Sequence, residues 1–114
     1  MKKLPALFIG RWQPFHEGHK KLIETVLKEG QDVIIAVRET PASRDNPYNV
    51  AEREIRIKEA LKEWGERVRT IWLPDIGSVC YGRDVGYEVR RIRLDPETEE
   101  ISATSLRRML RENL

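Results

Sequence analysis

The run Phe8-Ile9-Gly10-Arg11-Trp12-Gln13-Pro14-Phe15-His16-Glu17-Gly18-His19 decides the fold. An apolar stretch, reading as a strand over about residues 5–9, stops at Gly10. A turn containing Pro14 follows, and a helical pattern begins near His16. Strand, glycine turn and helix N-terminus in series form an ordinary anion site. Free backbone N–H groups and the positive end of the helix dipole face the ligand. His16 and His19 stand three residues apart, so they share a face of the first helical turn and can point at one ligand.

Working outward, the first helix is expected over 16–29, with Leu22, Ile23, Val26 and Leu27 inward and Gly30 at its C-terminal stop. The run Val33-Ile34-Ile35-Ala36-Val37 reads as a strand buried on both faces, the mark of a central parallel strand. Residues 38–49 form a polar loop with Pro41 and Pro47. A second helix starts at Asn49, with Glu52 three residues on in a capping-box arrangement. Its stripe is Ile57, Ala60, Leu61 and Trp64, and Gly65 ends it. A third strand is expected over 68–73, short strands over 79–81 and 87–94, and a third helix from near Thr104 with Leu106, Met109 and Leu110 inward. This order gives right-handed crossovers and a parallel α/β sheet. The expected fold class is a single Rossmann-like parallel sheet flanked by helices, one domain over residues 1–114. In such sheets ligands sit at the strand C-terminal ends, where the connections diverge to opposite faces. The 10–19 turn and the 38–49 loop both fall there.

The histidine pair admits three readings: phosphate contact, metal ligand or structural part. A metal needs a third and usually a fourth ligand. Glu17 points elsewhere on the helix, and no cysteine is near. A structural role is weakened because the chain's two histidines sit together in a glycine-flanked turn. Phosphate contact is favoured: imidazole N–H donors can stabilise charge that grows on an α-phosphate, and Gly18 lets a ligand approach closely. Ser102 and Thr104 stand where they can cap the third helix, and Arg107 lies one turn in. Hydroxyls and a guanidinium at a helix start also suit phosphates.

The first run resembles the H-x-G-H signature of the nucleotidylyltransferase superfamily. Its form Gly10-Arg11-Trp12-Gln13-Pro14-Phe15-His16 is most similar to the nicotinamide-mononucleotide adenylyltransferase branch. Ile101-Ser102-Ala103-Thr104-Ser105-Leu106-Arg107 resembles the superfamily's second signature, I-S-x-T-x-x-R. Asn46-Pro47-Tyr48-Asn49 with Glu52-Arg53 is similar to the family's N-P-[FY]-T and G-E-R segment, with Asn49 in place of Thr and Ala51 in place of Gly. The resemblance implies the nucleotidylyltransferase fold and transfer of AMP from ATP to a phosphate-bearing small-molecule acceptor, with pyrophosphate leaving. It implies catalytic roles for His16, His19 and Arg107. It implies nucleotide contacts from Gly10, Arg11, Gly18, Ser102 and Thr104, and from Gly82, Arg83 and Asp84 against the nucleoside. Mg²⁺ is expected on the phosphates, with no protein residue named as its ligand. The segment between Ile76 and Ser78 is short against the nicotinamide branch, so the acceptor side is expected to be open and to make few contacts with a nicotinamide ring. The alternative is a nucleotide-binding or regulatory module that lacks acceptor chemistry.

Composition sets the outer bounds. The chain has 114 residues, 35% of them charged and 39% hydrophobic, enough for one core. Its formal net charge of +2 is too small to argue for nucleic acid as a partner. No apolar run is long enough for a membrane span. Cys80 is the lone cysteine, so no internal disulfide can form and a cytoplasmic home is expected. Cys80 itself is expected to be a buried small hydrophobe. A small sheet with uncovered edges also leads us to expect a homo-oligomer.

Overall fold

The computed structural model describes residues 3–44, 47–80, 82 and 88–92. Its sheet has three parallel strands in the order β1 (Ala6–Gly10), β2 (Val33–Arg38) and β3 (Val68–Leu73). Helix α1 (Glu17–Lys28) connects β1 to β2, and helix α2 (Val50–Ala60) with a 3-10 turn (Lys62–Arg67) connects β2 to β3. Each of these elements lies where the apolar periodicity puts it, except that α2 ends about four residues before the expected stop at Gly65.

The register aligns Leu7, Ile34 and Arg69, and two residues on Ile9, Ala36 and Ile71. The alternate set therefore faces the other way: Val33, Ile35 and Val37 from β2, with Ala6, Phe8 and Val68 beside them. These pack with Ile23, Val26 and Leu27 of α1 and with Ile57 of α2 and Leu61 after it to form the core. Both crossovers step in the same direction along the sheet, and right-handed connections then place both helices on one face. The point where connections diverge to opposite faces is not among the described elements. The face away from the helices keeps Leu7, Ile9 and Ile71 exposed.

Local chemistry fixes the helix ends. Asn49 accepts from the Glu52 backbone at 2.9 Å, and Glu52 returns a bond to the Asn49 N–H at 3.4 Å, the capping box the sequence predicts. Gly30 has φ 91, a left-handed turn after α1 that glycine adopts without a Cβ penalty. Helix α2 is shorter than its apolar stripe. Trp64 lies in the 3-10 turn instead, where its indole N–H donates to Glu24 at 2.9 Å and Arg67 covers its ring.

Two expectations change, and others fall outside the described residues. Residues 79, 80 and 88–92 are not in strands. Arg90 instead reaches back to Glu29 near the C-terminal end of α1, at 3.0 Å, and Ile92 packs on the core. Cys80 is exposed, its Sγ 3.5 Å from the Ser78 hydroxyl, because no strand forms there to bury it. The third helix, with Ser102, Thr104 and Arg107, lies outside the described residues, as do Arg83 and Asp84.

Candidate functional site

The turn between β1 and α1 is built around a buried tryptophan. Trp12 has φ 56, a region that bulky L-residues rarely occupy and that costs on the order of 1–3 kcal/mol. The fold holds it there. The indole N–H donates to the Ala36 carbonyl of the central strand at 3.1 Å, and the residue is buried. Gly10 makes room for the ring: a Cβ on Gly10 would stand 2.9 Å from Trp12 Cε2. The glycine at the end of β1 is therefore required by packing, whatever ligand the turn receives.

Gln13, next in the turn, is fully buried and pairs its side-chain amide with the Tyr48 backbone. Its amide N–H donates to the Tyr48 carbonyl, and the Tyr48 N–H donates to its oxygen at 3.1 Å. Both polar ends are satisfied, as a buried amide requires. The pair fastens the 10–16 turn to the loop before α2. Arg53 fastens the same two regions from beneath, with its Nη1 donating to the Arg11 carbonyl at 2.7 Å.

The histidines complete the turn. His16 is the N-cap of α1, and its Nδ1 accepts from the backbone N–H groups of Gly18 at 3.1 Å and His19 at 3.3 Å. His19 Nδ1 accepts in return from the His16 N–H at 3.2 Å. This is a capping box made of two imidazoles. The rings stack with centroids 3.6 Å apart, and the Trp12 ring meets His19 edge-on at 4.9 Å. Phe15 also stacks with His19, with centroids 5.6 Å apart.

This geometry settles the protonation. Burial, and after it the neighbouring His16, push the His19 imidazole down to about 3. Burial also lowers His16. Both rings are therefore neutral near pH 7. Because each Nδ1 accepts a hydrogen bond, the single ring proton of each sits on Nε2. The pair thus offers two Nε2–H donors and no free ring lone pair, which suits an anion and does not suit a metal ion.

One expectation about this turn is corrected. The N–H groups of Gly18 and His19 are not open to a ligand, because His16 takes both. The imidazole Nδ1 atoms hold these backbone groups, and Nε2–H is the donor each neutral ring has left. Gly18 is buried inside the cap. Arg11 is exposed at the mouth of the turn. Lys20 pairs with Glu63 at 3.9 Å. Gly82 is exposed, and a Cβ on it would meet nothing within 4 Å, so packing does not require glycine there. The structure thus brings Gly10, Arg11, His16, Gly18 and His19 together. Gln13 and Arg53 stand within the motifs quoted above, but neither is assigned a role of its own from sequence. Arg53 did carry a signal: with Ile57 and Leu61 it forms an i, i+4, i+8 row on the buried face, where a charged residue needs a reason.

The three-stranded parallel sheet with its helical crossovers places the domain in the α/β class. The chain belongs to the cytidylyltransferase-like family, whose model matches residues 7–70. It is 29% identical over 135 residues to a nicotinamide-nucleotide adenylyltransferase of Methanococcus aeolicus, a match covering 95% of this chain and 78% of that protein. That alignment is longer than the chain itself, so the relative carries residues that have no counterpart here. A nicotinamide-nucleotide adenylyltransferase of Pyrococcus horikoshii is 42% identical over 75 residues, covering 62% of this chain but 40% of the relative. Among solved structures, a bifunctional NMN adenylyltransferase/ADP ribose pyrophosphatase from Francisella tularensis matches with a TM-score of 0.57 and 31% identity, over 63% of this chain and 22% of that one. Most of these matches thus span about half of the relative or less. No helix among the described residues is long and apolar enough to cross a membrane.

Proposed function

We propose that this protein is an adenylyltransferase that moves AMP from ATP to the phosphate of a mononucleotide. An acceptor phosphate oxygen forms a bond to the α-phosphorus, the bond from that phosphorus to the bridging oxygen breaks, and pyrophosphate leaves. No nucleophilic side chain is needed. The protein's share is alignment and charge stabilisation. The observation that carries this reading is the stacked pair of imidazoles, each with Nδ1 taken by backbone N–H groups and its proton left on Nε2. Names and sequences of the relatives support ATP as donor and a mononucleotide, nicotinamide mononucleotide first among them, as acceptor.

In this reading His16 and His19 donate to the α-phosphate, and Arg11 offsets charge on an incoming phosphate. Gly10 keeps the turn closed around Trp12, and Gly18 lets the cap fold tightly. Gly82, Arg83 and Asp84 border the nucleoside, while Ser102, Thr104 and Arg107 receive the leaving pyrophosphate. The described residues contain no group of three or more acidic, Cys or His side chains fit to hold a metal. Mg²⁺ would be held mainly by the triphosphate oxygens and water, supplying charge neutralisation there. A cytoplasmic enzyme fits the lone Cys80. The apolar face formed by Leu7, Ile9 and Ile71 favours association into a homo-oligomer.

Incubation with ATP, Mg²⁺ and a panel of mononucleotides tests the function. Pyrophosphate release that depends on the acceptor is the expected result. Tight ATP binding with no release for any acceptor would leave a nucleotide-binding module instead.

A further inference from the structure

Arg53 is fully buried, and among the described residues its hydrogen bonds all run to backbone carbonyls. Nη1 reaches Arg11 at 2.7 Å and Arg38 at 2.8 Å, Nη2 reaches Thr40 at 3.0 Å, and Nε reaches Asn49 at 3.2 Å. Among the described residues no carboxylate pairs with it. A buried guanidinium without a counter-ion is costly for stability alone, and a well-packed apolar residue on the same face would cost less. What the guanidinium does achieve is geometric. Its rigid fork holds four carbonyls from three places: the turn after β1, the end of β2 with its following residues, and the N-cap of α2.

The Arg11 carbonyl is the informative partner. The next residue is Trp12, held at φ 56, and the Trp12 ring bears on His19. His19 stacks on His16. A shift of the Arg11 carbonyl therefore turns the backbone entering Trp12 and moves the surface on which the imidazole pair rests. We propose that Arg53 is a positioning residue that sets the placement of the His16–His19 pair through Arg11 and Trp12. The inference deepens the adenylyl-transfer reading and rests on it for its functional consequence.

The test uses the full chain with Arg53→Lys and Arg53→Gln, and with Ile57→Val as a core variant of the same helix. The protein has two histidines, so its imidazole carbon-bound protons give two resolvable sets of NMR signals. In both Arg53 variants these signals should move away from their wild-type positions, while Ile57→Val leaves them in place. In turnover with ATP and nicotinamide mononucleotide, Arg53→Lys should lose about a hundredfold in kcat with a smaller change in KM for ATP, the scale of a misplaced reacting group. Wild-type histidine signals in folded Arg53→Gln and Arg53→Lys would overturn the proposal. Failure of both variants to fold would also overturn it, by assigning Arg53 to stability alone. If the wild-type protein shows no turnover with any acceptor, the transferase reading fails, and the NMR comparison still decides the role of Arg53.

Discussion

His16 and His19 hold each other in place: each imidazole Nδ1 accepts from the other residue's backbone N–H, at 3.3 Å and 3.2 Å, and the rings stack at 3.6 Å. Capping thus uses the Nδ1 edge of each ring and leaves the Nε2–H for the proposed phosphate contact. The inner nitrogens close the helix terminus, and the outer nitrogens keep the protons that an anion can accept.

The pairing makes a prediction for pH. The unfolded chain titrates its histidines near 6.5, whereas burial and His16 hold His19 near 3 in the fold. Between those values the unfolded state binds more protons, so stability rises with pH across that window. It should fall as pH drops below about 6.5 and continue to fall toward 3, as chemical denaturation at a series of pH values will show. NMR titration of the two histidines should show neither titrating with the ordinary midpoint. A normal midpoint for His19 would contradict the buried, stacked geometry.

Substitution at His16 separates the two edges of the ring. His16→Ala removes the cap and should cost about 1 kcal/mol of stability. His16→Asn restores a side-chain acceptor suited to the N-cap and should recover most of that loss. Neither variant has the outer N–H donor, so turnover should fall roughly a hundredfold in both, by analogy with loss of an oxyanion donor. Recovery of turnover together with stability in His16→Asn would remove His16 from the chemistry.

Gly10→Ala tests the packing of the turn. The new Cβ would meet Trp12 Cε2 at 2.9 Å and Cζ2 at 3.0 Å, and Trp12 is already in a strained backbone region. A loss of about 1–3 kcal/mol is expected from such overpacking. Denaturant titration measures it, and an unchanged midpoint would show that the indole can move aside freely.

Arg107→Ala should weaken binding of ATP more than binding of AMP, since the partner proposed for Arg107 is the leaving end of the triphosphate. Calorimetric titration with both nucleotides makes the comparison. Equal weakening would move Arg107 away from the pyrophosphate.

Local signals made much of this fold legible. The β2 run, the Asn49–Glu52 box and the apolar stripe of α1 are each written in neighbouring residues, and strand β3 falls at 68–73 as its pattern implies. What could not be read is long-range and involves backbone. Gln13 meets Tyr48 across 35 residues, and Arg53 meets Arg11 across 42. Their partners are carbonyl and N–H groups that every residue carries, so no side-chain pattern marks them. The histidine motif was visible, but the inward turn of its Nδ1 atoms was not, because Ser, Thr, Asp and Asn are the usual N-caps. The end of α2 also escaped, since Trp64 fits a helical stripe yet sits beyond the last α-helical turn.

The most direct test of the account is product formation by the wild-type protein and by His19→Ala, with ATP labelled at the α-phosphate, Mg²⁺ and nicotinamide mononucleotide. The account predicts that label enters a dinucleotide as pyrophosphate appears in equal amount, and that His19→Ala, still folded, forms it about a hundredfold more slowly. Wild-type rates in His19→Ala, or no labelled dinucleotide from the wild-type protein with this or any other mononucleotide, would contradict it.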